Sequence, residues 1–170
     1  MTHFPLRATA AAGCLIAAAC SSSTQAIGPD ERLCITVRGE GQTSGDRHKL
    51  RGDGVFRIGD VERNVQIGLY LFEMREGDGG IHVATQYQFN WDNGDSFLTS
   101  DDVFFEPGLE PDQFRFSVKM RIVSGSGMFA GQVGQDPIAL DATIRFGAPR
   151  NPGDARSAEE QFTVSGEICG

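Results

Sequence analysis

Residues 114–123 have the sequence FRFSVKMRIV, in which an apolar side chain occupies every second position. Successive side chains of a β-strand point to opposite faces, so a strand with this alternation buries one face and exposes the other. The buried face would consist of Phe114, Phe116, Val118, Met120 and Ile122. The segment predicts a β-strand that lies against a hydrophobic core.

The same alternation recurs along most of the chain. It predicts seven further strands, near residues 33–37, 55–60, 64–74, 81–91, 96–105, 138–146 and 162–168. The clusters GDGG at residues 77–80 and DNGD at residues 92–95 supply residues that tolerate positive φ, so they favour hairpin turns. The sequence therefore predicts an all-β domain in which eight antiparallel strands follow one another.

Two cysteines, Cys34 and Cys169, lie near the two ends of this strand-rich region. Each cysteine alternates with the apolar positions of its strand, so both cysteines face water. The first and last strands of an eight-stranded meander run antiparallel. A disulfide needs Cα atoms within about 4.4 to 6.8 Å, so it would pair these strands and place Ile35 beside Ile168. The sequence thus predicts an eight-stranded antiparallel up-and-down β-barrel with the disulfide on its outer wall. A two-sheet β-sandwich is the alternative fold, and two unrelated buried thiols are the alternative for the cysteines.

The first 19 residues have the features of a signal peptide, with one early cation, Arg7, and an apolar run over residues 8–19. The run is shorter than the roughly 20 residues that a membrane-spanning helix needs. Residues 15–20, LIAAAC, resemble the bacterial lipobox, in which the cysteine becomes the lipidated first residue of the mature protein. We expect a lipoprotein signal peptide over residues 1–19, lipid on Cys20, a flexible tether over residues 20–32 and the barrel over residues 33–170.

These features predict export to the cell envelope as a membrane-anchored lipoprotein. In a Gram-negative host, Ser21 after Cys20 implies sorting to the outer membrane. The alternative is cleavage after Ala26, which would release a soluble secreted protein.

The composition of the chain limits the classes of partner that it is expected to bind. The 170 residues suit one globular domain, since 39% are hydrophobic and 22% charged. The formal charge is -8, and the 15 lysines and arginines form no basic stripe, so a nucleic-acid partner is not expected. The expected partners are the membrane, through the lipid anchor, and either a small apolar ligand or an envelope protein.

No motif of a common catalytic or cofactor site is present. The chain has no Gly-x-Ser-x-Gly elbow, P-loop or dinucleotide fingerprint, and no cofactor is expected. His48 and His82 lack a second ligand at zinc spacing, so no metal site is expected. The tripeptide Arg51-Gly52-Asp53 matches the integrin-binding motif, but a short motif of this kind arises by chance, and we expect it in a loop.

Residues 122–134, IVSGSGMFAGQVG, are similar to a glycine-rich segment of the allene oxide cyclase barrel-like and dirigent-like proteins. Ser124 and Ser126 stand where glycine and threonine are usual in that family, and the matching positions are Gly125, Gly127, Phe129, Ala130, Gly131 and Gly134. The resemblance implies an eight-stranded antiparallel barrel with Phe129 plugging one end. The plant cyclases isomerise an unsaturated fatty epoxide and dirigent proteins orient phenoxy radicals, but none of their catalytic positions can be matched in this chain.

The barrel interior is the remaining candidate site. An eight-stranded barrel is either filled by its own side chains or holds one small ligand. Aromatic side chains with polar tips suit a ligand cavity. The candidate ligand-binding residues are Tyr87, Phe89, Trp91, Phe116 and Met120.

Three functions fit these features. The first is a non-enzymatic tethered barrel that binds a small apolar molecule or an envelope partner. The second is a cyclase-like or isomerase-like enzyme for a hydrophobic substrate, which a cavity with an inward carboxylate or histidine would favour. The third is a structural or interaction module with a packed barrel, which a sealed interior beside an exposed Tyr70 and Phe72 would favour.

Overall fold

The computed structural model describes residues 34–148 and 156–169. The predicted signal peptide, the tether and Cys20 lie outside the described residues. One short 3-10 helix, Gly127–Gln132, accompanies the strands, and no helix among the described residues is long and apolar enough to cross a membrane. The strands are β1 (Cys34–Asp46), β2 (Lys49–Ile58), β3 (Val61–Gly77), β4 (Gly80–Trp91), β5 (Ser96–Thr99), β6 (Asp101–Pro107), β7 (Gln113–Met120), β8 (Ile122–Ser126), β9 (Ile138–Phe146) and β10 (Ser157–Cys169).

The strands form one antiparallel sheet that closes on itself. The ring runs β3-β2-β1-β10-β9-β7-β6-β4 and returns to β3, while β5 and β8 continue one end of it. The prediction of eight antiparallel strands in a closed, barrel-like ring is confirmed. Because the strands belong to one closed sheet, the alternative of a two-sheet β-sandwich is wrong.

Two of the predicted strands are bent, which accounts for the ten separate segments. The predicted strand near 96–105 breaks at Ser100 into β5 and β6, and the strand near 114–123 breaks at Arg121 into β7 and β8. The two breaks lie side by side, because the Ser100 amide donates to the Arg121 carbonyl oxygen at 3.2 Å. The Asp101 carboxylate accepts the Arg121 amide at 2.8 Å, so a side chain replaces the interrupted sheet hydrogen bonding at the bend.

The seam between β1 and β10 closes the ring. Cys34 is opposite Cys169 in the register, Ile35 is opposite Ile168, and the cysteines form a disulfide with their Cα atoms 4.0 Å apart. The predicted disulfide is therefore confirmed, and Cys34 is exposed as its parity requires.

Strands β1, β2 and β10 are longer than the sequence pattern indicated. Arg51-Gly52-Asp53 lies inside β2, so the loop expected for this tripeptide is wrong. Only glycine fits at position 52, because a Cβ there would lie 1.8 Å from the carbonyl oxygen of Gln42 on the neighbouring strand. Residues 157–161 belong to β10, because they continue its pairing with β1 and β9.

Interior side chains fill the ring. Phe89 is fully buried and lies 4.6 Å from Phe97 and 5.5 Å from Phe56, measured between ring centroids. The 3-10 helix places the buried Phe129 ring 5.0 Å from the Trp91 ring. These contacts form an aromatic cluster within the hydrophobic core of the domain.

Candidate functional site

The five predicted ligand-binding residues are all buried, but they divide into separate parts of the core. Tyr87, Phe89 and Trp91 follow one another on the inner face of β4, with adjacent ring centroids 5.8 and 6.3 Å apart. Phe116 instead stacks on Phe105 at 4.4 Å. Met120 is fully buried on the same strand as Phe116. Their role as a ligand site stays a prediction.

A buried acid was not among the predicted site residues. Glu160 on β10 is 1% exposed and lies on the inner face of the ring. Tyr87 on β4 donates its hydroxyl hydrogen to Oε1 of Glu160, and the Thr43 hydroxyl donates to Oε2 at 2.9 Å. Strands β4 and β10 are diametrically opposite in the ring, four steps apart in either direction. The Tyr87–Glu160 hydrogen bond therefore crosses the whole interior.

Burial controls the ionisation of this pair. Loss of water around Glu160 disfavours its charged form and raises the pKa of that carboxyl from 4.5 to about 7, although the hydrogen bonds from Tyr87 and Thr43 oppose the rise. Burial, followed by the nearby charge of Glu160, raises the pKa of Tyr87 well above its usual 10. Near neutral pH the carboxyl exists in both protonation states, while Tyr87 remains a hydrogen-bond donor.

We expect Glu160→Gln to remove a pH dependence of stability. The folded chain holds a proton between about pH 4.5 and pH 7 that the unfolded chain releases, so the free energy of unfolding of the wild type falls as pH rises through this window. The shift corresponds to roughly 3 kcal/mol. Glutamine is neutral and retains an acceptor for Tyr87, so the free energy of unfolding of the variant should not fall in this way. From pH 4 to pH 8 the difference between the two free energies of unfolding should change by about this amount in favour of the variant.

The measurement is urea unfolding at a series of pH values, with Glu159→Gln as the matched control. Glu159 precedes Glu160 on the same strand but is exposed. The Glu159→Gln curve should run parallel to that of the wild type. If the Glu160→Gln curve also runs parallel, Glu160 does not titrate as described.

A hollow of about 1000 Å³ lies on the outside of the ring, across β2, β1, β10, β9, β7 and β6. We call it the wall groove. Its floor consists of two rows of outward side chains that the strand register places side by side. One row is Val55, Glu40, Thr163, Asp141 and Ser117, and the other is Asp53, Gln42, Gln161, Thr143, Arg115 and Glu106.

The inner side of the wall behind the groove includes two glycines. Gly41 and Gly54 have no side chain to place in the interior, and a Cβ at Gly41 would lie 2.6 Å from the Phe162 ring. A Cβ at Gly54 would lie 3.0 Å from the Ile67 side chain. Because core side chains pack directly on the glycine backbone, the wall lies close to the core at this level.

The wall groove is polar and acidic. Four carboxylates and one guanidinium, that of Arg115, give it three net negative charges; the carboxylates are Glu40, Asp53, Glu106 and Asp141. Within residues 34–148 and 156–169, none of these five side chains forms an ion pair. Ser117 donates a hydrogen bond to Asp141, so one carboxylate is held in place by its neighbour in the row.

The predicted aromatic patch on β3 is present but small. Phe72 is 51% exposed and stacks on the half-buried Tyr70, with ring centroids 6.5 Å apart. The Lys49 ammonium lies 5.5 Å from the centre of the Tyr70 ring, which covers part of the patch with a cation. Phe72 lies at a bulge between Leu71 and Met74, where the alternation of the strand breaks.

The described part of the chain brings together no group of three histidine, cysteine, aspartate or glutamate side chains that could hold a metal ion. Comparison with known proteins adds no assignment, because no model of a protein family matches the chain and no curated protein matches it either.

Proposed function

We propose that this protein is an exported, lipid-anchored binding protein that holds an envelope partner on the outer wall of its barrel. The observation that carries the proposal is the contrast between the two sides of the wall. The inner side is occupied by packed aromatic side chains, whereas the outer side has a wide groove lined by polar and charged groups. A partner bound there needs no rearrangement of the core.

Export and lipid attachment are supported by the sequence and by the cysteines. The apolar run ends at Cys20, and a polar segment separates it from β1. The Cys34–Cys169 disulfide fits an oxidising compartment. The resemblance to the allene oxide cyclase barrel-like proteins remains part of the proposal and adds no catalytic assignment.

Cys20 should carry the lipid. In cells fed a labelled fatty acid, the wild-type chain should incorporate label and Cys20→Ser should not. The lipid is attached through the cysteine sulfur, which serine lacks. Cys14→Ser is the matched control and should label normally, since Cys14 leaves with the signal peptide. Equal labelling of wild type and Cys20→Ser would exclude lipid attachment at Cys20.

A cyclase-like or isomerase-like enzyme is the second candidate, and Glu160 is the observation that favours it. A carboxyl with a pKa of about 7 suits general acid-base catalysis at neutral pH. However, both of its oxygens accept hydrogen bonds from Tyr87 and Thr43, and Glu160 does not line the wall groove. Isomerisation of an unsaturated fatty epoxide by the wild type, abolished in Glu160→Gln, would establish this function instead.

Site-specific crosslinking in the native host tests the proposed function. A photoreactive amino acid at Gln161, in the middle of the wall groove, should form an adduct with an envelope component. The matched control is the same amino acid at Gln88, an exposed residue on the opposite strand β4. The proposal fails if Gln161 forms no adduct, or if both positions form the same adducts.

A further inference from the structure

We infer that one end of the barrel rests on the surface of the membrane through an exposed apolar loop at residues 127–134. We call this segment the end loop. The inference rests on the proposed function, because the lipid anchor would bring the domain to the membrane. Three features of the end loop support it: its composition, its fixed conformation and its position beside the point where the tether joins the barrel.

The end loop belongs to the stretch IVSGSGMFAGQVGQ, residues 122–135, which has no charged side chain although 22% of the chain is charged. Val133 is 50% exposed and Val123 is 41% exposed, and Ala130 is exposed as well. Apolar surface that the domain itself leaves uncovered marks a contact with a partner or with a membrane.

The end loop is fixed to the rest of the domain by two buried side chains. The Phe129 ring is fully buried and stacks on the Trp91 ring, with centroids 5.0 Å apart. The side-chain amide of the buried Gln132 donates to the Cys169 carbonyl oxygen at 2.8 Å. Because Phe129 and Gln132 occupy the inner side, Val133 stays outside, and its exposure is a property of the folded domain.

The lipid anchor reaches the barrel at the same end. Gln132 contacts Cys169, which is bonded to Cys34, and residues 21–33 join Cys34 to Cys20. A connection of this length spans at most about 50 Å when fully extended. The tether therefore keeps the end loop at a high effective concentration near the membrane, so that a weak apolar contact suffices for binding.

Two further aliphatic side chains are exposed at this end. Ile35 follows Cys34 on β1. Val61 begins β3 directly after the turn from β2, and this turn is held at the same end because the Gly59 amide donates to the Thr36 carbonyl oxygen at 2.8 Å. The apolar surface thus extends beyond the end loop to neighbouring strands.

The charges around the end loop favour neutral lipids. The Asp95 carboxylate accepts the Met128 amide at 3.3 Å, and Asp136 follows the loop, so anionic headgroups would meet like charges. A protein partner fits less well, because protein interfaces depend on buried aromatic or aliphatic anchors and the Phe129 ring is already packed in the core. We therefore expect contact with phosphatidylethanolamine or phosphatidylcholine.

Photocrosslinking in the native host membranes tests the position of the end loop. A photoreactive amino acid at Val133 should form an adduct with phospholipid. The matched control is the same amino acid at Leu109, which is 91% exposed and lies between β6 and β7 at the other end of the ring. The inference is overturned if Val133 forms no adduct, if its adduct is a protein, a second copy of this chain included, or if Leu109 labels phospholipid equally.

Trp91 supplies a second readout, since it is the chain's single tryptophan and lies beneath the end loop. In phosphatidylcholine vesicles brominated on the acyl chains, the fluorescence of the full-length, lipid-bearing protein should be quenched relative to unbrominated vesicles. The quenching should not change between low and physiological ionic strength, because the contact is apolar.

Two double variants separate the end loop from other exposed apolar residues. Val123→Ser with Val133→Ser should lose most of the quenching, because burial of each half-exposed valine contributes roughly fourfold to binding. Phe72→Ser with Leu109→Ser removes two larger exposed side chains away from the loop and should be quenched like the wild type. An unquenched wild type, or equal losses in the two variants, would contradict the inference.

The inference and the proposed function can fail separately. If Cys20 carries lipid and Gln161 crosslinks to an envelope component while Trp91 is not quenched, only the membrane contact of the end loop is wrong. If Cys20 carries no lipid, the anchor is wrong and the inference that rests on it fails as well.

Discussion

Replacing Phe89 by alanine should cost about 3 to 5 kcal/mol of the free energy of unfolding, as expected for emptying a buried aromatic site. Phe89 is fully buried, and its ring lies within 6 Å of the rings of Phe56, Tyr87 and Phe97. The cavity would therefore remove contacts from several strands of the ring at once. Urea unfolding of the variant and the wild type gives the difference directly.

The matched control is Gln88→Ala on the same strand. Gln88 is exposed, so its replacement should change the free energy of unfolding by no more than about 0.5 kcal/mol. The same contrast is expected between Phe116→Ala and Lys119→Ala, because Phe116 is buried and Lys119 is exposed. Similar costs for the inner and outer residues would contradict the assignment of faces, and the closed ring with it.

Removing the disulfide should have the second large effect. Cys34 and Cys169 are separated by 135 positions, so their bond closes most of the domain into one loop. The chain-entropy model gives about 4 to 5 kcal/mol for a loop of this length, because the bond restricts the unfolded chain. Cys34→Ser with Cys169→Ser should lose that amount in urea unfolding, and reduction of the wild type should reproduce the loss.

The control for this change is Thr36→Ala with Glu167→Ala, an exposed pair two positions from the disulfide on the same strands. It should leave the free energy of unfolding within about 1 kcal/mol of the wild type. A loss of less than about 1 kcal/mol for the cysteine double variant would mean that the disulfide adds little to the hydrogen-bonded β1–β10 seam.

The strands and their faces could be predicted because each depends on local alternation. Phe116 and Tyr87 lie inside as their parity requires, and the disulfide pairing followed from the cysteines at the two ends. The bends at Ser100 and Arg121 could not be predicted in this way, because a side chain from another strand position, Asp101, replaces the lost hydrogen bonding.

Glu160 was missed although the sequence carried a signal for it. It has the same parity as Phe162, but a glutamate in an inward position interrupts the apolar pattern from which strands are predicted. The disulfide fixes the register of β1 and β10, and this register would have located Glu160. Nine residues from each cysteine along its strand are Thr43 and Glu160, and eight residues from each are Gln42 and Gln161. Both pairs are opposite each other in the structure. The wall groove could not be predicted, because its lining comes from six strands that are far apart in the sequence.

We propose that side chains fill the interior of the closed ring and that the partner binds outside. Native mass spectrometry of the protein purified from its own host membranes tests this arrangement. We expect the mass of the processed, lipid-bearing chain, with no small molecule retained after mild activation. A stoichiometric apolar molecule that is retained by the wild type and by Gln161→Ala, but lost from Phe89→Ala, would place the ligand in the interior and show that the side chains do not fill it.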